Sequence, residues 1–304
     1  MSEGRQRVSL TDFISPHLAE EICRDEKARL ILVIGGVDTG KTTFVYSLAG
    51  SLAGSSSVAV VDLDVGQSHV GPPSTAGWGL FDPDSGEVRE EGFVFTGTFS
   101  PRGNLLPVLT ASAEAVRAGR RMASRVVVDT TGYVSDSSAR ILKQMKIDLL
   151  RPDLIIALSR SGELSHILTP YLRCRNPRIL IIPVQWPVRE KTMEFRFSYR
   201  IERLRKYFAG ASLKRVTLNS RYLRFTRYPP FRSPQEPLFL EERLVSLRSR
   251  GNRDICLGYV TGVKREGEKL LIDVLLPGER TPSFSHLLVG EARVSRQILL
   301  SGES

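Results

Sequence analysis

The sequence predicts an α/β protein, a doubly wound and mostly parallel sheet followed by a small β-rich C-terminal domain. Three observations carry this prediction. Short apolar runs alternate with amphipathic stretches from residue 29 to residue 208, the pattern of successive βαβ units. The first apolar run ends in a glycine-rich turn that opens a helix. Beyond about residue 213 the helical spacing gives way to prolines and short strand-like runs.

With 304 residues, of which 41% are hydrophobic and 25% charged, the chain has ample core and is not a disordered protein. Cys23, Cys174 and Cys256 lie far apart and form no CxxC pair. Neither a zinc site nor a disulfide framework is expected, and the compartment implied is a reducing cytoplasm. The first thirty residues lack the apolar stretch of a signal peptide, and no uncharged run is long enough to cross a bilayer. A soluble cytoplasmic protein is expected. Its parts are an N-terminal segment (1–28), a nucleotide domain (29–212) that includes a basic helix at 190–208, and a β-rich domain (213–304).

In order along the chain, 29–34 (RLILVI) reads as a buried strand and 42–53 as a helix stopped by Gly54. VAVVD at 58–62 reads as a second buried strand. The Gly-, Pro- and Asp-rich stretch 67–92 reads as loops with a short hairpin, and FVFTG at 93–97 as a separate short strand. Residues 104–118 have helical spacing. RVVVDTTG (125–132) is a strand entering a turn, and 137–149 a helix. LIIALS (154–159) is a strand, 163–172 a helix and RILIIPV (178–184) a strand. In 190–208, Phe197, Ile201, Leu204 and Phe208 share one helical face, and Arg189, Arg196, Arg200 and Arg203 another. The stretch 257–277 reads as a hairpin about Glu266-Gly267.

The formal net charge of +10 is concentrated. Arg189 to Arg232 holds thirteen basic and three acidic residues, a net of +10, so the remainder is neutral. Aromatics are interleaved there, among them Phe195, Tyr199, Tyr222, Phe225, Tyr228 and Phe231. Such a segment suits a polyphosphate partner, nucleotide phosphates or a nucleic-acid backbone; the alternative is a solvated helix face.

Gly35-Gly36-Val37-Asp38-Thr39-Gly40-Lys41-Thr42 fits GxxxxGK[ST] without mismatch, between a predicted strand and a predicted helix. The fold class is therefore that of a P-loop NTPase. Glycines let consecutive N–H groups turn towards one anion, and the helix N-terminus adds favourable potential. The nucleotide-binding set is Gly35 through Thr42 together with Thr43. Lys41 reaches the β- and γ-phosphates, and Thr42 ligates Mg²⁺. In VVDLDVGQ (60–67) two carboxylates end the next strand. One of them holds metal or handles the acceptor hydroxyl, and the other, more in keeping with Asp62, caps the turn. Asp129-Thr130-Thr131-Gly132 carries a weaker strand-end carboxylate signal. TGTFSPRGN (96–104) is a polar turn that either grips a second substrate or caps a helix.

GGVDTGKTT, DLDVGQSHVGPPST, TGTFSPRGN, DTTGY and REKTMEFRFSYRIERLRKYFAG, in that order, resemble the polynucleotide 5′-hydroxyl kinases over roughly residues 30–210. The resemblance implies ATP- and Mg²⁺-dependent transfer of the γ-phosphoryl group to the 5′-OH of RNA or DNA. It implies that Lys41, Asp64, Arg196 and Arg200 are catalytic, with Arg203 as an alternative lid arginine, and that Thr42 and Asp64 hold the metal. It further implies that Gln67, Ser100, Arg102 and Tyr133 meet the nucleic acid, Tyr133 standing where some relatives have a base-stacking Trp. Two other functions share the same motifs: a nucleotide switch, against which no NKxD-like motif is found, and a non-catalytic nucleic-acid-binding scaffold that retains ATP.

Overall fold

The run LILVIG forms strand β1 (Leu30–Gly35), and all six residues are buried, as a strand covered on both faces requires. The computed structural model describes residues 16–184, 190–227 and 240–300. A short helix α1 (Pro16–Arg24) precedes β1. After it come α2 (Lys41–Ala53), β2 (Val58–Leu63), β3 (Thr75–Asp82), β4 (Glu87–Phe95), α3 (Leu105–Met122) and β5 (Arg125–Thr130). The next elements are α4 (Ser137–Leu150), β6 (Leu154–Ser159), α5 (Ser165–Leu168), β7 (Arg178–Pro183) and α6 (Met193–Phe208).

These strands form a seven-stranded sheet in the order β4-β3-β2-β5-β1-β6-β7. The five strands from β2 to β7 are parallel, and β3 runs antiparallel to β2. β1 lies between β5 and β6, so the loop after β1 emerges at the centre of the edge where parallel α/β sheets bind ligands.

Two sequence expectations need correction. The stretch 67–92 is not chiefly loops, and 93–97 is not a separate strand. β3 and β4 are strands of eight and nine residues that widen the sheet. Their glycines are packing sites rather than turns: a Cβ on Gly79 would lie 2.2 Å from the Arg89 carbonyl oxygen, and one on Gly92 2.5 Å from the Trp78 ring. The helix expected at 163–172 is reduced to α5 and one 3₁₀ turn (Thr169–Tyr171), because Pro170 has no amide to donate.

Beyond α6 the chain forms β8 (Ser212–Asn219), β9 (Leu223–Phe225), β10 (Arg243–Arg248), β11 (Asp254–Glu266), β12 (Lys269–Leu276), β13 (His286–Arg293) and α7 (Arg296–Leu300). They build a second sheet in the order β8-β12-β11-β10-β13-β9, antiparallel except for β13–β9. β11 and β12 are the hairpin expected about Glu266-Gly267, and Gly267 adopts a φ of +64° in its turn.

The chain divides into two compact units. The first takes the residues up to Asp64, Gly77–Gly92 and Ser112–Glu190; the second takes Val65–Ala76, Phe93–Ala111 and the residues from Lys191 on. This grouping differs from a boundary at 212, since α6 clusters with the C-terminal strands. Its Ile201, Leu204 and Phe208 are buried among Leu244, Leu257, Tyr259 and Leu288. Phe197, expected on that apolar face, is 46% exposed, and the buried part of the helix is its C-terminal half. Thr192 caps α6 by accepting the Phe195 N–H, worth about 1 kcal/mol. Arg189, Tyr228, Phe231 and Arg232, with the prolines at 229, 230, 234 and 237, lie outside the described residues. Among the described residues no helix is long and apolar enough to cross a membrane.

Candidate active site

The turn after β1 has the geometry of an anion cradle. Asp38 and Gly40 take positive φ of 53° and 80°, the alternation that turns successive amides inward. Gly40 is the N-cap of α2 and supplies no side-chain cap, which leaves the first helical amides for a ligand. Gly35 needs its glycine, since a Cβ there would lie 2.6 Å from Thr39 Oγ1 and 2.9 Å from the Leu158 carbonyl oxygen. The buried Lys41 donates from Nζ to the Gly36 carbonyl at 2.6 Å, and Thr39 donates to the same oxygen. Arg160 donates to the Asp38 carbonyl.

Neighbouring strand ends bring the carboxylates to this loop. Asp62 on β2 is in register with Asp129 on β5, and β5 pairs with β1. Thr42 donates its hydroxyl to Asp129 Oδ2 at 2.6 Å. The other oxygen, Asp129 Oδ1, is buried without a hydrogen-bond partner. Burial pushes the Asp129 carboxyl above its usual range and the Asp64 charge adds to this, while Lys41 and the Thr42 bond pull it back. An unsatisfied buried carboxylate oxygen beside the Thr42 hydroxyl fits a hard divalent cation that also takes phosphate oxygens. These two residues could hold Mg²⁺. The family resemblance pairs Thr42 with Asp64 for that task, and Asp129 carries only a weak signal in the sequence. Asp62 behaves as a turn cap, accepting the Asp64 N–H at 2.8 Å.

Behind the carboxylates lie two lysines that the sequence reading missed. Lys143 and Lys146 on α4 are each 1% exposed. Lys143 donates to Thr130 Oγ1 at 2.8 Å and to the Thr131 carbonyl at 2.6 Å, bracing the turn after Asp129. Burial drives the Lys143 ammonium well below its usual range, and Lys146 and Lys41 push the same way. Burial brings Lys146 down to about 8 against the opposing pull of Asp64 and Asp62. Gly132 packs on the cradle, where a Cβ would lie 2.8 Å from Val37 Cα. Tyr133 is tied by its hydroxyl to Asp136, the N-cap residue of α4.

The second unit gathers the remaining residues singled out from the sequence. Gln67 Nε2 donates to the Arg196 carbonyl at 2.9 Å, and Tyr199 donates to the Ser68 carbonyl. Arg203 donates to the carbonyls of His69 and Gly71, so this arginine clamps α6 to the loop that follows Asp64. Arg200 stacks over Phe99 at 4.7 Å, and Arg196 Nε donates to the Lys191 carbonyl. The turn at 96–104 is built on β13. Ala292 donates to the Gly97 carbonyl, and Asn104 Nδ2 donates to Glu291 Oε2 at 2.6 Å. Glu291 Oε1 accepts from Arg227. Ser100 and Arg102 are exposed on this turn.

Comparison with known proteins identifies the family. Residues 35–210 match the model of the family described as mRNA cleavage and polyadenylation factor CLP1 P-loop. The chain belongs to this CLP1 P-loop family. It is 32% identical over 194 residues to a polyribonucleotide 5′-hydroxyl-kinase of Pyrococcus furiosus, covering 62% of this chain and 53% of the relative. It is 35% identical over 204 residues to one of Thermococcus kodakarensis, covering 64% and 56%. The chain thus spans about half the length of the curated relatives it matches. Clp1p, solved in complex with Pcf11p, superposes with a TM-score of 0.68 at 17% identity, over 91% of this chain and 77% of that one. That likeness establishes the fold.

Proposed function

We propose that the chain is an ATP-dependent polynucleotide 5′-hydroxyl kinase, moving the γ-phosphoryl group of ATP to the 5′-OH of RNA or DNA. The observation that carries the reading is the convergence, at adjacent strand ends, of the Lys41 cradle, the Thr42–Asp129 pair and the carboxylates of Asp62 and Asp64. The family membership and the names of its relatives support it.

The residues divide the work as follows. Backbone amides of 36–42 bind the phosphates, and Lys41 leaves the Gly36 carbonyl for the β- and γ-phosphate oxygens. Thr42 and Asp129 would hold Mg²⁺, which when bound would supply positive charge against the phosphates. Asp64 accepts the proton of the 5′-hydroxyl as its oxygen bonds to the γ-phosphorus and the bond to ADP breaks. Arg196 and Arg200 supply positive charge as the phosphoryl group migrates. Gln67, Ser100, Arg102 and Tyr133 are the proposed contacts to the nucleic-acid end. With Cys23, Cys174 and Cys256 all free, a reducing cytoplasm suits the chain.

The test is incubation with γ-labelled ATP, Mg²⁺ and 5′-OH oligonucleotides of RNA and DNA. Label on the oligonucleotide is expected. Release of free phosphate with no label transferred would replace the kinase reading by an ATPase or a switch, and neither product would leave a nucleotide-binding scaffold.

A further inference from the structure

Strand β6 brings a second turn to the phosphate cradle. Its register pairs Leu158 with Gly35, the first cradle residue, so the turn after Ser159 begins beside the loop after β1. One carboxylate organises that turn. Glu163 accepts the Arg160 N–H at 3.0 Å, the Ser161 N–H at 2.9 Å and the Ser159 hydroxyl at 2.9 Å. The Ser159 oxygen in turn accepts the Gly162 N–H at 3.1 Å, and Gly162 closes the turn with a φ of +83°. A Cβ on Gly36 would lie 3.7 Å from Glu163 Oε1, so the turn packs against the cradle itself. Fixed in this way, Arg160 reaches the cradle and donates from Nη2 to the Asp38 carbonyl. Asp38 is a non-glycine residue at a φ of 53°, a conformation that costs free energy and persists where its neighbours hold it.

We infer that Arg160 is a positioning residue for nucleotide binding, its guanidinium presetting the Asp38–Thr39 peptide so that the Thr39 amide faces a bound phosphate. Among the described residues the cis peptide bond is Asn176-Pro177, so the Asp38–Thr39 peptide is trans. A trans peptide points its C=O and N–H in opposite directions. A bond that holds the Asp38 carbonyl towards Arg160 therefore holds the Thr39 N–H away from it. That is the sense in which the positive φ values at Asp38 and Gly40 turn the cradle amides. Without the bond the peptide rotates more freely, and apparent affinity falls with the fraction of molecules whose amide is turned inward. The inference rests on the nucleotide-binding half of the kinase reading and requires no phosphoryl transfer.

The test compares Arg160→Met, Arg160→Ala and Arg160→Lys with the unaltered full chain, measuring equilibrium affinity for ADP and for ATP, KM and kcat of label transfer, and thermal unfolding. Both neutral variants should bind ADP and ATP about tenfold more weakly, the worth of one bond from a charged donor. The two nucleotides should lose alike, because the cradle amides hold phosphates that both carry. The loss should appear in KM for ATP, with kcat held within about twofold. Arg160 is exposed, so the melting temperature without nucleotide should stay close to the parent's. Arg160→Lys keeps a donor and should come within about threefold of the parent's affinity. Unchanged affinity for both nucleotides in the neutral variants overturns the inference. So does a loss confined to ATP or carried by kcat, which would place the guanidinium on the γ-phosphate instead. Loss of cooperative unfolding in both neutral variants makes Arg160 a structural residue and also overturns it. A parent chain that binds both nucleotides but transfers no label overturns the kinase reading alone, and the affinities still decide this inference. A parent that binds neither nucleotide overturns both.

Discussion

The two compact units handle most of their charge differently. In the first, Lys41, Lys143, Lys146, Asp62 and Asp129 are all buried around the ends of three parallel strands, and one carboxylate oxygen and one ammonium there lack hydrogen-bond partners. In the second, arginines predominate and many lie towards the surface, bound to carbonyls or carboxylates: Arg203 to His69 and Gly71, Arg221 to Glu268, Arg227 to Glu291; the buried Arg248, paired with Asp254, is an exception. Unsatisfied buried charge is expensive, and sites that retain it are sites of chemistry. Exposed paired arginines cost little and contribute little to stability. On the kinase reading proposed above, the phosphate and carboxylate chemistry would belong to the unit with no excess of positive charge, and the cationic unit would supply arginines to the phosphoryl group and contacts to the second substrate.

Substitutions can break this contrast. Lys41→Ala should have the largest effect, at least about 1,000-fold on label transfer with weakened ATP binding. Asp129→Asn should raise the Mg²⁺ concentration needed for half-maximal rate by about 10–100-fold, read from a Mg²⁺ titration; an unchanged requirement would return the metal to Asp64. In the second unit, Arg200→Ala should slow transfer about 100-fold with little change in KM for ATP. By contrast, Arg203→Ala should chiefly cost about 1.5–3 kcal/mol of stability in a denaturant melt, through its two lost bonds to backbone carbonyls. The smallest effect is expected from reversing Arg221, Arg224 and Arg227. Because two of them are already ion-paired, the slope of log affinity against log salt should flatten by about 1 or less. A slope change near 3 would make that surface a major phosphate track.

Much of the first unit is legible in the sequence because its signals are local. The buried strands are continuous apolar runs, and the cradle is a contiguous motif. Asp62 could be read as a turn cap from its place two residues before Asp64. What was hidden depends on partners distant in sequence. Strands β3 and β4 carry Gly79 and Gly92, which read as turn residues until the Arg89 backbone and Trp78 are seen to require that space. The hydrogen bond that marks Asp129 comes from Thr42, 87 residues away. The spacing of Ile141, Met145 and Leu149 marks the wrong face of α4 as internal. Only the strand ends beneath the helix explain why lysines point inward. Likewise Glu291 gives no local sign that it holds Asn104, 187 residues away.

The central claim is that the first unit's carboxylate at Asp64 acts on an acceptor hydroxyl while the cradle holds ATP. Single-turnover transfer from γ-labelled ATP to 5′-OH and 5′-phosphorylated oligonucleotides, by the parent chain and by Asp64→Ala, tests it directly. The parent should label only the 5′-OH strand, and Asp64→Ala should bind ATP normally yet transfer at least about 100-fold more slowly. Transfer by Asp64→Ala at the parent rate would contradict the account.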